Sequence, residues 1–571
     1  KSLRKSKCLQ KNAVLNITRL VLLLEALIVQ QNLFSFNNLQ KSGLFVSIMC
    51  DRGLGKMNNM KKFIISLSFA VCLSSAAFSA PVHINDLRSK FLNNSAIIYE
   101  INIRTFNAQD TNGNGIIDFD EGEESGNFLN AIANLDELQA KGVNAIHILP
   151  VTPVGKMKAL GTAGSLYAAS GFNSLNPQLK SENTMLTLEE QARKFIQEAH
   201  DRGIAVIVDV PACGSYDLFM QRPELFVKDK SGQAVIPADW TDVRLLNAGT
   251  EAQINKDVLN LYKEFVDYMM DLGVDGIRAD VAHCKPAKFW KELIDYSRKK
   301  DPQLLWLAES SNSWKDAVSE YAVFTPYDKL LQAGFDGYYG SYFNMKDWKS
   351  SKDLFNQVNL DRLLSKKIGQ PKSVIGSFTT HDELSPVLIN GKKYSEMIMW
   401  LNSTLPLNAY YVDGFDTGDN YIYFWANKKA PKTFTDDDYY FAHRGKIDIF
   451  NFSRRPGGKD KELSDDFKLA NQFKKYAATL NAKGHFIQLR TNNPSVFAYA
   501  VSDTKESFIV IGNMNFTSDS EAVVRIPGFK GNEDVIVIKT TSTPVSSKGK
   551  MTVRLEPGEI QVLVLNSFPI K

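Results

Sequence analysis

Cysteine is scarce in this chain, with only 5 among 571 residues. Only Cys213 and Cys284 lie beyond residue 80, which is too few for a fold built on disulfide bonds. An excess of one charge sign is also lacking, because 67 basic and 63 acidic residues leave a formal net charge of +4. So small a net charge over this length gives no argument for nucleic acid or an anionic membrane as a partner.

A long hydrophobic run is absent as well. The apolar stretch over residues 63–73 is shorter than the roughly 20 residues that span a bilayer. Lys61 and Lys62 precede this stretch, and the cleavage region Ala77-Phe78-Ser79-Ala80, with three small residues, follows it, in the order of a secretory signal peptide. We therefore predict a signal peptide over residues 60–80, starting at Met60, and export to the periplasm or the medium.

The residues that precede this signal are predicted to carry no fold of their own. Residues 1–59 are expected to be an extraneous or disordered extension, since Arg19 and Glu25 interrupt their most apolar part. Cys72 leaves lipid attachment open as the alternative to cleavage, although the residues before it match a lipidation signal poorly.

From about residue 96, short β-branched runs alternate with amphipathic stretches at 128–141, 189–202, 258–272 and 287–299. The candidate strands read AIIYEINIRTF, GVNAIHILPV, GIAVIVDV, GVDGIRAD, LLWLAES and SVIGSFTTHDE. Apolar strands alternating with helices indicate an α/β fold with a parallel sheet covered on both faces. The number of units favours a closed (β/α)₈ TIM barrel. The alternative, an open doubly wound sheet, lacks a glycine-rich phosphate loop after its first strand.

The pattern changes near residue 484, where strands follow one another without helices. This succession of strands without helices predicts a C-terminal antiparallel β-domain, a β-sandwich, over residues 484–571. The barrel is predicted over residues 81–483, with a short inserted domain at about 211–252 after its third strand.

Charged side chains stand where the predicted barrel strands end: Asp209, Arg278, Asp280, Glu309, His381 and Asp382. Active groups of (β/α)₈ barrels lie at this carboxyl-terminal face. Core packing does not explain why charged residues recur at successive strand ends, because buried charges are costly unless they are paired. The alternative is a set of structural salt bridges around the mouth of the barrel.

Four segments, VIVDV, GVDGIRADVAH, LLWLAES and FTTHDE, resemble in order the four signature regions of the α-amylase superfamily of retaining glycosidases. The resemblance extends from about residue 97 to the C-terminal β-domain. It implies that Asp280 is the nucleophile, Glu309 the general acid/base, and Asp382 the carboxylate that holds the distorted sugar. It also implies that Arg278, His381 and Asp209 bind the substrate.

The reaction chemistry of retaining glycosidases agrees with these roles. One ionised carboxylate attacks the anomeric carbon and one protonated carboxyl donates to the leaving oxygen, about 5–5.5 Å away. Arg278 lies two residues before Asp280 and points to the same side of the strand, so we expect it to keep Asp280 ionised. Glu309 follows an apolar strand, where partial desolvation favours the protonated form.

Two aromatic residues are candidates for the cleft. Tyr167, in GSLYAASGF, resembles the family aromatic that stacks on bound glucose; ordinary loop packing is its alternative. Trp240 follows the third strand and either lines the cleft or anchors a loop, and the sequence assigns it no role.

A calcium loop is predicted just after the first strand. Oxygen ligands at alternate positions come from Asp110, Asn112, Asn114, the Ile116 carbonyl and Asp118, with Glu121 at the twelfth place. Related α-glucosidase-type members carry a similar loop here. The cofactor is therefore predicted to be Ca²⁺, and the alternative is a metal-free Asn/Gly turn.

The chain departs from the family pattern after Asp209, where Cys213 and Gly214 replace the usual Asn-His pair. We therefore expect no second calcium and a weaker hold on the bound sugar. Cys284 stands at the corresponding point after the next strand, four residues beyond Asp280, which suggests a Cys213–Cys284 disulfide in an exported protein.

The expected function is hydrolysis of mainly α-1,4 glucosidic bonds in starch-type glucans or maltooligosaccharides, by a monomer. One alternative is a glucanotransferase or isomerase with the same covalent intermediate, since motifs do not encode the acceptor site. The other is a non-catalytic carbohydrate-binding relative, suggested by the missing Asn-His pair.

Overall fold

The computed structural model describes residues 86–108, 111, 122, 124–159, 164–238, 240–418, 460–540 and 544–570. These residues all belong to one compact unit, residues 79–571, of the two into which the chain divides. The predicted extension and signal peptide, residues 1–59 and 60–80, lie outside the described residues and stay predictions. No helix in the described part of the chain is long and apolar enough to cross a membrane.

Ten strands precede residue 418 in the described part. They are β1 (Ile97–Ile101), β2 (Ala145–Ile148), β3 (Ala205–Val210), β4 (Cys213–Ser215), β5 (Val243–Leu245), β6 (Gly276–Ala279), β7 (Leu305–Ala308), β8 (Gly337–Tyr338), β9 (Ser373–Val374) and β10 (Ala409–Val412). Eight of them form one parallel sheet in the order β10-β1-β2-β3-β6-β7-β8-β9. A parallel bridge between Ile375 and Asn408 joins its two ends. The predicted barrel is thereby confirmed.

The α-helices of the described residues are α1 (Leu87–Leu92), α2 (Ile103–Phe106), α3 (Phe128–Ala131), α4 (Leu135–Ala140), α5 (Leu188–Asp201), α6 (Tyr216–Gln221), α7 (Lys256–Leu272), α8 (Ala287–Lys300), α9 (Tyr327–Ala333), α10 (Ser351–Arg362), α11 (Leu364–Ile368), α12 (Pro386–Thr404) and α13 (Lys461–Lys483). Local signals set several ends. Thr187 and Glu190 form a capping box at α5, and Gly273 ends α7 with a φ of 103°.

The first predicted strand proved too long. Strand β1 ends at Ile101, and the Asn102 side chain accepts a hydrogen bond from the Arg104 backbone amide, which starts the short helix α2. An Asn that caps a helix competes with strand pairing at the same place, and the β-branched pattern did not reveal this.

Side chains alternate across each barrel strand, so residues two apart share a face. Ile98, Ile207 and Leu307 point into the barrel, where α1 adds Leu87 and Phe91 to the same apolar cluster. The residues two positions further along these three strands are Glu100, Asp209 and Glu309. The barrel interior therefore changes from apolar to charged toward its carboxyl-terminal end.

The inserted segment after β3 is small, as predicted. Strands β4 and β5 pair antiparallel, and α6 lies between them in sequence. Val243 and Leu245 pack in an apolar cluster with Cys213, Val281 and Cys284, which attaches the insert to the loop after β6.

The C-terminal region is all β, which confirms that part of the predicted fold class. Its strands are β11 (His485–Gln488), β12 (Arg490–Thr491), β13 (Val496–Ser502), β14 (Ser507–Asn513), β15 (Ser520–Arg525), β16 (Val535–Lys539), β17 (Val545–Ser547), β18 (Lys550–Leu555) and β19 (Ile560–Leu565). They form two antiparallel sheets, β11-β13-β14-β19-β16 and β12-β15-β18-β17. A core including Val496, Ile509 and Met551 lies between the sheets.

Candidate active site

The carboxyl ends of β6 and β7 and the segment after β9 open into one cavity of about 560 Å³. Its lining includes the three predicted catalytic carboxylates, Asp280, Glu309 and Asp382, and the predicted binding residues Tyr167 and His381. The remaining two predicted binding residues, Asp209 and Arg278, are fully buried and contact the lining residues. Residues distant in sequence thus come together around one cavity.

Arg278 is the charged centre of this group. Its Nη1 donates to both oxygens of Asp209, at 2.9 and 2.7 Å, and to Asp280 Oδ1 at 3.1 Å. Its Nη2 lies 3.1 Å from Glu309 Oε2, an ion pair without hydrogen-bond geometry. One buried guanidinium therefore offsets part of the charge of three carboxylates, and removing it would leave them buried and uncompensated.

Backbone amides hold the two central carboxylates close together. The Ala212 amide donates to Asp280 Oδ2 at 2.8 Å, and the Val281 amide donates to Glu309 Oε2 at 2.6 Å. Val281 has φ 43° and ψ 43°, a left-handed conformation that β-branched residues rarely adopt. Strain of this kind persists where the surrounding structure enforces it. Here it directs the amide that follows Asp280 toward Glu309.

Burial raises the pKa of Asp280 and of Asp209. The pKa of Asp280 is raised well above its usual value by burial and by the charge of Glu309, while Arg278 acts in the opposite direction. Burial likewise raises the pKa of Asp209 to about 6, against the lowering effect of Arg278 and Tyr167. Arg278 thus favours the ionised form of Asp280, as expected from the sequence, while burial and the charge of Glu309 act against it.

Glu100, Tyr167, Asp209 and His381 form what we call the tyrosine side of the site. The Tyr167 hydroxyl donates to Asp209 Oδ2 at 2.7 Å and lies 3.1 Å from His381 Nε2. The rings of Tyr167 and His381 stack, with centroids 5.8 Å apart and planes 18° apart. His381 Nδ1 hydrogen-bonds Glu100, to which the Tyr410 hydroxyl donates at 2.8 Å. These contacts hold both rings in one orientation.

Glu100 was not predicted as a site residue. It is 1% exposed, and burial alone would raise its pKa. The charge and hydrogen bond of His381, with smaller effects of His147 and Tyr410, lower the pKa of Glu100 to about 2. Strand alternation was the available signal, because Ile98 and Glu100 are two residues apart and share the inward face of β1.

Trp240, Asp242, His283 and Trp314 also line the cavity, and we call these four residues the tryptophan side. The ring centroids of His283 and Trp314 are 4.7 Å apart. Burial lowers the pKa of His283, and the nearby charge of Glu309 acts in the opposite direction. Asp242, His283 and Trp314 were not predicted as site residues, although His283 is the last residue of the signature segment GVDGIRADVAH.

The predicted disulfide is wrong in this structure, in which Cys213 and Cys284 are both free, buried thiols. Both pack in the apolar cluster with Val243 and Val281, so they serve as small hydrophobic residues. Burial raises the pKa of the Cys284 thiol to about 11, which keeps it protonated and unreactive at neutral pH.

The predicted calcium ligands, Asp110, Asn112, Asn114, Ile116 and Asp118, lie outside the described residues, as does Glu121. The calcium loop therefore stays a prediction.

No protein-family model matches the sequence. Curated relatives include the α-1,4-glucan:maltose-1-phosphate maltosyltransferases of Bifidobacterium animalis, 27% identical over 204 residues, and of Picrophilus torridus, 24% identical over 419 residues. These matches cover 32% and 70% of this chain, but only 27% and 61% of the relatives' own length.

Solved structures of similar fold include an α-amylase of Anoxybacillus, with a TM-score of 0.61 and 15% identity, and one of Lactobacillus plantarum, with a TM-score of 0.58 and 19% identity. Each match covers 99% of the solved chain, and 84% and 83% of this one. These structural matches show that the chain has the fold of solved α-amylases, which confirms the predicted resemblance at the level of the fold.

Proposed function

We propose that this chain is a retaining enzyme of the α-amylase superfamily that transfers α-linked glucosyl units to a sugar hydroxyl. The proposal rests above all on one observation: Asp280 and Glu309 contact the same buried Arg278 guanidinium at one cavity. The curated relatives support transfer, because those named above are maltosyltransferases. Transfer therefore replaces hydrolysis, the main expectation from the sequence, as the leading function.

In the first step, an ionised Asp280 oxygen attacks the anomeric carbon of the donor sugar. The bond from that carbon to the leaving oxygen breaks, and the Glu309 proton passes to the leaving oxygen. A covalent glycosyl–Asp280 ester remains. The hydrogen bonds from Ala212 and Arg278 favour ionised Asp280, whereas burial and the charge of Glu309 oppose it.

In the second step, the acceptor hydroxyl attacks the same carbon. Its proton goes to Glu309, the ester bond breaks, and Asp280 leaves as a carboxylate. We assign Asp382 and His381 to the sugar held between the steps. Tyr167 would stack on that sugar, because its ring lines the cavity and its orientation is fixed by Asp209 and His381.

Hydrolysis is the second candidate function, with water in place of the acceptor. It is favoured by the similarity of the fold to that of solved α-amylases.

Product analysis on maltoheptaose tests the proposal. Transfer yields oligomers longer than seven units, whereas hydrolysis yields only shorter ones. Asp280→Asn should abolish both products, and Asp519→Asn, at a half-exposed C-terminal position, is the matched control. Full activity of Asp280→Asn would overturn the assignment and favour a non-catalytic carbohydrate-binding protein.

We further propose that the loop over residues 110–121 binds Ca²⁺ and stabilises the mature, exported chain. A chelator should lower the melting temperature, and added Ca²⁺ should restore it. In an Asp110→Ala/Asp118→Ala variant the chelator should have no further effect. Equal chelator sensitivity of this variant would contradict the assignment.

A further inference from the structure

Three consecutive backbone groups just after β3 each bond to a buried side chain. The Ala212 amide donates to Asp280 Oδ2 at 2.8 Å. The carbonyl before this amide, that of Pro211, accepts a hydrogen bond from the Tyr262 hydroxyl at 2.7 Å. The carbonyl after it, that of Ala212, accepts from Lys285 Nζ at 2.8 Å. The amide that bonds to Asp280 is therefore held from both sides.

The Pro211 carbonyl and the Ala212 amide belong to one peptide unit. A peptide unit is planar, so a hydrogen bond at its carbonyl also fixes the direction of its N–H group. Hydrogen bonds in a chain polarise one another, so a donor at the carbonyl strengthens the bond that the amide donates. The Tyr262 hydroxyl is thereby connected to the Asp280 carboxylate through a single peptide unit.

This peptide unit lies outside the barrel ladder. The pairing of β3 with β6 ends with Val210 opposite Ala279, and the Val210 carbonyl still accepts from the Asp280 amide at 3.2 Å. Pro211 and Ala212 follow, between β3 and β4 and in neither strand. Side chains therefore supply the hydrogen-bond partners that a sheet would otherwise provide.

Tyr262 is itself held rigidly. It lies on α7 and is fully buried, with its ring edge-on to those of Phe289 and Trp290 at centroid distances of 5.3 and 6.1 Å. Burial raises the pKa of Tyr262, so its hydroxyl stays protonated and donates to the carbonyl. Tyr262 is not among the described residues that line the cavity. Its effect on the site is therefore expected in the chemistry and not in sugar binding.

The amide hydrogen bond favours the form of Asp280 that reacts. Burial and the charge of Glu309 raise the pKa of Asp280, with a smaller contribution from Asp209, whereas Arg278 and the Ala212 amide lower it. A poorly aligned amide would shift Asp280 toward its protonated form, which cannot attack the anomeric carbon.

We propose that Tyr262 is a positioning residue, which aligns and strengthens the Ala212 hydrogen bond to Asp280 through the Pro211 carbonyl. This inference rests on the proposed function, because it concerns the nucleophile of that reaction. A purely structural role would only satisfy the buried Pro211 carbonyl and would affect stability alone. The two roles differ in their effect on the pH dependence of the reaction.

The test measures fluoride release from α-maltosyl fluoride as a function of pH. Fluoride leaves without protonation, so its release reports attack by Asp280 and not the acid role of Glu309. In Tyr262→Phe the kcat should fall about 3-fold to 10-fold while KM changes less than about twofold, because the cavity lining is intact. The acidic limb of kcat/KM should move to higher pH by about 0.5 unit.

A second replacement acts in the opposite direction. 3-Fluorotyrosine at position 262 keeps the ring and makes the hydroxyl a stronger hydrogen-bond donor, so the acidic limb should move to lower pH. Tyr499→Phe is the matched control, since Tyr499 is also fully buried and its hydroxyl lies 2.6 Å from Thr404 Oγ1. This control should leave kcat and the acidic limb unchanged, even where the melting temperature falls.

Opposite movements of the acidic limb in the two Tyr262 replacements would support the inference. An unmoved limb in both, or movement of both in one direction, would overturn it while fluoride release by the intact chain upholds the proposed function. If Tyr262→Phe does not fold, an unmoved limb in the 3-fluorotyrosine protein is sufficient to overturn the inference. Absence of fluoride release from the intact chain would overturn the proposed function and the inference with it.

Discussion

The tyrosine side and the tryptophan side of the cavity differ in how completely their polar atoms are bonded. On the tyrosine side, each nitrogen and oxygen of the Glu100, Tyr167, Asp209 and His381 side chains has a partner. On the tryptophan side, His283 and Asp242 each keep an unpaired buried atom. The side chains of the tyrosine side are already held in place and need no rearrangement during reaction, which suits contact with the reacting sugar. Unpaired polar groups gain a hydrogen bond only from a ligand with a matching donor or acceptor, which suits the selection of one ligand over another.

The largest expected effect is that of Glu309→Gln, which lies between the two sides. Turnover of an oligosaccharide donor should fall about 10³-fold, since general acid catalysis contributes about 10²–10⁴. Fluoride release from α-maltosyl fluoride should fall much less, because fluoride leaves without protonation. Glu396→Gln, a buried carboxylate paired with Lys393 at 3.3 Å, is the control for loss of a buried charge. Equal losses with both donors would argue against Glu309 as the acid.

Glu100→Gln should break the tyrosine side alone. The kcat should fall about 10-fold to 100-fold, because loss of a charged acceptor costs about 1–3 kcal/mol and His381 loses its fixed orientation. The ratio of transfer to hydrolysis should stay constant, since the tryptophan side is untouched. A changed ratio with constant kcat would show that the two sides do not act separately.

Tyr167→Phe is a milder change on the same side. The ring remains for stacking, but the hydrogen bond to Asp209 is lost, so kcat/KM should fall about 3-fold to 10-fold. Tyr321→Phe, at a tyrosine that is 42% exposed, provides the matched control. A loss above 100-fold would indicate that the hydroxyl takes part in chemistry.

The smallest effect at neutral pH concerns His147, beneath the tyrosine side. Burial lowers the pKa of His147 from 6.5 to about 3. Below pH 6.5 the unfolded chain binds a proton at His147 that the folded chain does not. The free energy of unfolding therefore falls as the pH drops from 6.5 toward 3, by at most about 1.4 kcal/mol per pH unit, and this loss is absent above pH 6.5. His147→Gln should therefore flatten the fall in melting temperature over this window. An unchanged acid slope would mean that His147 is not the group that titrates.

Much of the fold could be predicted because its signals are local. Apolar strands such as β3 and β7, and helix caps such as Thr187, can be recognised from neighbouring residues alone. The ends of the strands were less predictable. At β1, for example, Asn102 starts a helix within a β-branched run. Short-range hydrogen bonds decide such ends, and hydropathy does not record them.

The candidate site divides in the same way. The strand-end residues Asp280, Glu309 and Asp382 were predicted because each follows a recognisable strand. Glu100 and His283 were not, since the first lies within a strand and the second within a single-turn 3₁₀ helix after β6. The Cys213–Cys284 pairing was predicted from corresponding loop positions, and the structure has both as free thiols. Correspondence in sequence does not determine distance.

By itself the sequence determined the alternation of strands and helices, and hence which charged residues stand at strand ends, because hydrophobic periodicity is a local property. Only the tertiary structure decided which of those charges share Arg278, which carboxyl is deeply desolvated, and which atoms of His283 and Asp242 have no partner. Electrostatic energies and hydrogen bonds depend on distances across the barrel, which arise when residues far apart in the chain pack together.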